Sequence, residues 1–218
     1  MEEIKIRKKD LINIIQNVES FINPKIQLEQ YAIDAICAVD IIFFAGFEFD
    51  DIEDKMILDL GSGTGKLSIA SAFLKAHTIL SIDIDIDALN ILKRNISSLN
   101  LENIIFPLGC NLENLELRKN ILPKDLKLTT IMNPPFGVQK EHADKMFLKK
   151  AFSISHVIYS IHVASKKVQK FVSNYANQHD WKVDYILPYN MVLDKIFPFH
   201  TKLKKKINVD VYRIIKRK

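Results

Sequence analysis

Two clusters in the 218-residue chain have the residue types and spacing that chemistry needs. The first is Asn133-Pro134-Pro135-Phe136, reached at the end of an apolar run from Leu128 to Met132 and followed at once by Gly137. Proline cannot donate to a sheet ladder and biases the residue before it towards an extended backbone. Pro134 and Pro135 therefore end a strand and make its exit rigid. This leaves a fixed amide and free carbonyls at a strand tip. There the Asn133 side-chain oxygen and the Pro134 carbonyl can each accept one N–H of a planar amino group, with Phe136 lying against the ring. Methylation of an exocyclic amine suits such a corner. Taken alone, the tetrapeptide reads more readily as a plain turn, because Asn and Pro are ordinary turn residues.

The second cluster shifts that balance. Ile57 to Leu60 is an apolar strand that runs into Gly61-Ser62-Gly63-Thr64-Gly65, where three of the chain's six glycines are spent. Glycine lets the backbone turn tightly and approach a ligand closely, and the tip of the first strand is where doubly wound sheets bind nucleotides. The turn is not a dinucleotide fingerprint, whose third glycine would fall at Lys66. Nor is it a phosphate loop, since Leu60 stands where that motif needs glycine and Leu67 follows Lys66. Asp59 sits just before the turn and Asp83 ends the next strand, a placement suited to a ribose diol because a carboxylate accepts both hydroxyl hydrogens. For Asp83 the competing role is the N-cap of the following helix, for which Asp85 and Asp87 are better placed. Asn111, just after the third strand, is positioned to meet an adenine edge.

The elements that must hold these residues are set by periodicity. Leu11, Ile14, Ile15 and Val18 recur at helical spacing between Asp10 and Phe21, and Asn23 and Pro24 interrupt that helix. A broad apolar helix is expected from Gln27 to Phe44, ending at Gly46. Glu29, Gln30 and Tyr31 in its first turn are read equally as a cap or as ligand contacts. Strands and helices then alternate. Strands are expected over 56–60, 78–83, 103–108, 128–133, 157–161, 181–187 and 207–214, with helices over 65–75, 87–98, 144–154 and 166–177. Such a rhythm makes a parallel sheet with helices on both faces, and the last strand, reached by a loop, returns antiparallel. Residues 1–218 are expected to form a single domain with an N-terminal helical segment over 1–46.

Hydrophobic residues make up 48% of the chain, enough for one well-buried core. No long uninterrupted apolar window or secretory leader stands out, so a soluble cytoplasmic protein without a membrane span is expected. Cys37 and Cys110 lack metal-ligand or disulfide spacing and read as small hydrophobes, so no metal site is expected. The net charge of +5 permits a polyanionic partner. Positive residues gather at Lys5, Arg7, Lys8 and Lys9, at Lys202, Lys204, Lys205 and Lys206, and at Lys216, Arg217 and Lys218. The middle run comes after Phe199 and His200 and reads as a nucleic-acid contact, the competing reading being solvated charges that protect an edge strand.

The order Asp59 to Gly65, acidic Asp83, then Asn133 to Phe136 resembles the class I S-adenosylmethionine-dependent methyltransferases that act on amino nitrogens. More narrowly the chain is similar to the small-subunit ribosomal RNA adenine-N6 methyltransferases, the family of methyltransferase-like protein five and its archaeal relatives. Phe21, Pro24-Lys25, Leu28-Glu29-Gln30-Tyr31, Tyr159-Ser160-Ile161-His162 and Phe199-His200 carry that narrower likeness. It implies a Rossmann-like fold with a seven-stranded, mostly parallel sheet. It also implies S-adenosyl-L-methionine as cofactor, held by Gln30, Tyr31, Asp59, Gly61, Gly63, Gly65, Asp83, Asn111 and Asn133. The implied substrate is RNA, met by His200 and the lysine run, and a small zinc-binding activator protein is implied at the exposed edge of strand three. The chain departs from the family at Ile33, usually threonine, at Asn111, usually aspartate, and at Val163, usually basic. Two other readings stand beside this one. Release-factor glutamine methyltransferases use an Asn-Pro-Pro corner on a glutamine amide, though theirs usually ends in Tyr. The other is a non-catalytic RNA-binding module.

Overall fold

The computed structural model describes residues 6–117, 123, 125–137, 143–194 and 204–217. Its centre is a seven-stranded sheet of order β3-β2-β1-β4-β5-β7-β6. The strands are β1 (Met56–Leu60), β2 (Thr78–Asp83), β3 (Ile105–Gly109), β4 (Leu128–Met132), β5 (Val157–Val163), β6 (Trp181–Asp194) and β7 (Lys204–Lys216). β1 to β5 pair in parallel, and β7 lies antiparallel between β5 and β6. This is the expected fold class.

Side chains alternate across the strands, as the two-residue pleat requires. Ile57, Ile131 and Tyr159 point into one core, packed by α1 (Lys8–Asn17), α2 (Ala35–Phe43), α3 (Lys66–Phe73) and α4 (Ile86–Ser98). Leu58, Leu60, Met132 and Tyr212 point into the other, with α5 (Ala143–Ile154) and α6 (Lys166–Asn177). The strand order reverses between β1 and β4, which leave the sheet side by side with Leu60 opposite Met132. Ligands bind outside the carboxyl ends of strands at such a switch point.

Three expectations change. The expected helix from Gln27 to Phe44 is broken. Only Ile26–Leu28 forms a 3-10 turn, Glu29 takes φ +50°, and the helix proper starts at Ala35 and continues into a wider π-type turn over Phe44–Glu48. Asp34 forces the restart, because its side chain accepts from Cys37 N at 2.8 Å and caps α2. Residues between α1 and α2 are thus a strap rather than a helix, and Gln30 and Tyr31 are not in a first turn. The first helix ends at Asn17 instead of reaching Phe21. Lastly, β6 and β7 are longer than expected. Lys204, Lys205 and Lys206 lie inside β7, paired with Asp194, Leu193 and Val192, rather than in a connection between strands. The physical reason is hairpin pairing: antiparallel partners continue each other's ladder beyond the rest of the sheet.

That continuation makes an arm. β5 pairs with β7 only as far as Val163 opposite Val209, whereas the β6–β7 ladder runs on from Asn208 to Lys204. At about 3.4 Å per residue the arm projects roughly 17 Å past the carboxyl end of β5, the same edge at which β1 and β4 end. Val192 N in the arm donates to Asp34 Oδ2 at 2.9 Å, and the Tyr189 hydroxyl to Asp40 Oδ2 at 3.1 Å.

Candidate active site

A cavity of about 300 Å³ opens at the switch point, a volume in the range of small-molecule pockets. Its floor is the turn after β1, one side is the tip of β2 with Asn111 after β3, and another is Asn133 and Pro135 after β4. The strap closes it with Phe21 and Gln27 to Ile33.

The glycines have separate jobs. Gly63 has φ +53°, and a Cβ there would come within 2.9 Å of the Phe21 ring, so the strap packs directly on the turn. Gly65 has φ +91°, and its Cβ would meet Leu92 Cδ1 at 2.1 Å, which lets α4 approach the start of α3. Gly61 and Ser62 donate from their backbones to the Ile82 carbonyl at 2.8 and 3.0 Å, tying the turn to β2. Asn95, buried on the apolar face of α4, donates to the Thr64 and Glu19 carbonyls, both at 3.0 Å.

Asp83 stands at the tip of β2. Its oxygens accept from Gly63 N at 2.8 Å and Asp85 N at 2.9 Å. Burial raises its pKa above the ordinary carboxylate value, and those backbone N–H groups offset part of the rise. The α4 cap is Asp85, which accepts from Asp87 N. Asp59 lies deeper, 1% exposed, because it shares a face with Ile57 and looks towards α3. Its Oδ2 accepts from Ser68 N at 3.1 Å and Ser68 Oγ at 2.5 Å. Burial pushes its pKa up to about 7 against those hydrogen bonds, with the nearby Asp83 charge adding to the rise. The Asn111 side chain accepts from Glu113 N at 3.0 Å and caps a short 3-10 turn over Leu112–Asn114, at the cavity wall.

At the corner after β4, Pro134 is buried, and the Phe136 ring packs against Tyr31 with centroids 5.0 Å apart. Phe136 itself is not among the lining residues, and Tyr31 is. Gln30 lines the cavity with its amide already engaged at both ends, accepting from Lys25 N at 2.7 Å and donating to Asp85 Oδ2 at 2.6 Å. His200 and Lys202 lie outside the described residues. Lys204 and Lys205 are placed by their backbone in the arm, and Lys206 there is exposed.

Buried polar atoms normally find partners. Among the described residues, four buried side-chain atoms that lack one all belong to cavity-lining residues: the Tyr31 hydroxyl, Asp59 Oδ1, Ser62 Oγ and Asn133 Oδ1. A fifth, Asp40 Oδ1, lies away from the cavity and faces Lys8 Nζ at 2.8 Å. Two hydroxyl donors and two acceptors left open around one cavity fit a ligand that carries both kinds of group, as an amino-acid end does.

The sequence alone does not single out Ser62, Ser68 or Asn95, and it offers Asp85 only as a helix cap, which it is. Asn95 carried a signal, since it is a polar residue on the stripe made by Leu92 and Ile96.

A doubly wound sheet of this order, with the seventh strand inserted antiparallel and the cavity at the β1–β4 reversal, is the architecture of the class I methyltransferases, the class in which the chain's relatives place it. A family model, that of the ribosomal protein L11 methyltransferase (PrmA), matches residues 45–133. The chain is 35% identical to the zebrafish (Danio rerio) rRNA N(6)-adenosine-methyltransferase METTL5, over 95% of this chain and 98% of the relative. It is 37% identical to an uncharacterized protein of Methanocaldococcus jannaschii, over 97% and 95%. Among solved structures, a proposed RNA methyltransferase of Pyrococcus horikoshii superposes with a TM-score of 0.87 at 34% identity, covering 98% of this chain and 99% of that one. The chain belongs to the METTL5 family of rRNA N(6)-adenosine-methyltransferases, S-adenosylmethionine-dependent enzymes of class I.

Proposed function

We infer that this enzyme transfers the methyl group of S-adenosylmethionine to the N6 amino group of an adenosine in small-subunit ribosomal RNA. The observation that carries the reading is Asn133 Oδ1, a buried acceptor without a partner, on a proline-locked corner beside the glycine turn. The cofactor, when bound, supplies an electrophilic methyl group. An aromatic amine is a poor nucleophile because its lone pair is delocalised into the ring. Asn133 Oδ1 and the Pro134 carbonyl, accepting one N–H each, favour a pyramidal nitrogen and aim its lone pair at the methyl carbon. Transfer from that cofactor would leave S-adenosylhomocysteine, and the amine, acidic only once it gains the methyl, would give its surplus proton to solvent, so none of the corner residues has to act as a base before attack. Phe136, backed by Tyr31, offers a ring for a base drawn out of its strand.

The cofactor-binding residues in this reading are Asp83 for the ribose hydroxyls, Asn111 for the adenine edge, and Tyr31, Asp59 and the Gly61, Gly63 and Gly65 turn for the rest. Gln30 acts by holding the strap in place. Lys204, Lys205 and Lys206 on the arm, with His200 and Lys202, are proposed to meet RNA phosphates. Their support is that the arm projects from the edge carrying the cavity. A small zinc-binding activator is proposed on edge strand β3, where Phe106 and Leu108 are 46% and 37% exposed. No helix among the described residues is long and apolar enough to cross a membrane, and a cytoplasmic location suits an rRNA substrate. The whole chain, residues 1–218, is proposed to act as a single domain.

Incubating the protein with labelled S-adenosylmethionine and small ribosomal subunits, free rRNA or a release factor tests this reading. N6-methyladenosine in the rRNA is expected. Label in release-factor glutamine instead would replace the RNA reading, and cofactor binding without transfer to any of them would favour a binding module.

A further inference from the structure

The middle of the strap that walls the cavity is joined to the start of α4 chiefly through its cap residue Asp85, which does not line the cavity. Asp85, 5% exposed, collects three donors: Lys25 Nζ at 2.5 Å and Asp87 N at 3.1 Å on Oδ1, and Gln30 Nε2 at 2.6 Å on Oδ2. The loop is closed by Gln30 Oε1, which accepts from Lys25 N, and Lys25 Nζ also reaches Asp87 Oδ2 at 2.8 Å. Lys25 and Gln30 bracket the 3-10 turn Ile26–Leu28, so this cluster fixes the middle of the strap. Its two ends are held elsewhere, by Asn95 at Glu19 and by Lys66 at the Ile33 carbonyl. Gln27 to Ala32, which must part from the glycine turn to open that wall, are therefore tethered by Asp85 between those two ends.

We propose that Asp85 is a positioning residue that controls the rate of cofactor release, acting through the strap and not by touching the ligand. The proposal rests on the reading of the cavity as the S-adenosylmethionine site. Asp85→Asn keeps the size of the side chain and an oxygen to cap α4. It removes the charge that holds Lys25, and it sets an NH2 against either Gln30 Nε2 or Lys25. A strap held less firmly opens more often, so the ligand leaves faster while its contacts in the closed state persist. Such an effect appears in the off-rate and leaves the chemical step alone.

The test measures release of S-adenosylhomocysteine by chase, together with single-turnover methyl transfer by the loaded enzyme. Asp85→Asn and Lys25→Met are each expected to raise the off-rate about 10-fold or more, which is about 1.4 kcal/mol. The double variant should be little worse than either single one, because the two residues act as a pair. Lys25→Arg should stay near wild type, and single-turnover rates should be unchanged throughout. Hydrogen exchange of residues 21–33 in the ligand-free protein should quicken in Asp85→Asn. An off-rate within twofold of wild type, in a variant that is folded, would overturn the proposal. So would a fall in the single-turnover rate that matches the rise in off-rate, which would make Asp85 a prop for Asp83. If wild-type protein binds neither S-adenosylmethionine nor its product, the cavity reading fails first and the proposal with it. Fast exchange confined to the variant would then show the strap held by Asp85 around some other ligand site.

Discussion

Replacing Asp59 by Asn is expected to stabilise the protein at neutral and alkaline pH and to weaken its hold on S-adenosylmethionine. Asp59 is buried, and its pKa rises from the ordinary 3.8 to about 7. Between about pH 4 and pH 7 the folded protein keeps a proton on Asp59 that the unfolded chain releases. Stability from this group is therefore complete below the ordinary carboxylate pKa, falls as pH rises towards about 7, and is level above it. Roughly three pH units at about 1.4 kcal/mol each put the ceiling on the order of 4 kcal/mol. Asn lacks that slope and still offers an oxygen to Ser68 N, so its advantage should grow from about nothing near pH 4 to most of that ceiling near pH 8. The cofactor reverses the sign. Asp59 Oδ1 is an unpartnered acceptor on a cavity-lining residue, and a bound ammonium group would re-ionise it, so wild-type affinity should climb with pH through about 7 while releasing a fraction of a proton. Denaturant melts across this pH range test the first part. Calorimetric titrations in two buffers of different ionisation enthalpy test the second. Parallel stability profiles for the two proteins, with no proton exchanged on binding, would refute the reasoning.

Asp83→Ala should chiefly weaken cofactor binding while leaving RNA affinity intact, and unchanged affinity by calorimetry would remove Asp83 from the pocket. Asn111→Asp puts a charged acceptor where an amide oxygen caps the Leu112–Asn114 turn. It should tighten S-adenosylmethionine binding if that oxygen also meets the adenine amino group, and weaker or equal binding would count against the contact. Replacing Lys202, Lys204, Lys205 and Lys206 by Gln should weaken RNA binding across sequences. Each lost phosphate contact should reduce the slope of log affinity against log salt by roughly 0.7 to 0.9. An unchanged slope in the folded variant would leave these lysines as guards of the hairpin edge.

The parts of the site that were legible in the sequence act through the backbone of their own residues. The prolines at 134 and 135 end β4 wherever they are placed, and glycines at 61, 63 and 65 permit positive φ without reference to anything distant. The strap was not legible because its conformation is decided from afar. Gln27 to Phe44 is apolar enough for one helix, yet Lys25 and Gln30 spend their polar groups on Asp85, and Asp34 spends its second oxygen on Val192 N. Asp59 shows the same limit. Its position before the glycines suggested a ribose contact beside Asp83, whereas strand alternation from Ile57 turns it towards Ser68. The sequence alone puts the lysines of the arm between strands, because the length of a hairpin ladder depends on its partner strand, and the pairing of Lys204 with Asp194 leaves no trace in local composition.

Asn133→Ala tests the central claim most directly, read by mass spectrometry of rRNA nucleosides after single-turnover reaction and by calorimetry with S-adenosylmethionine. If Asn133 holds the adenine amino group, N6-methyladenosine should form about 100- to 1000-fold more slowly with cofactor affinity nearly unchanged. Near-normal formation of N6-methyladenosine by the variant would contradict the account.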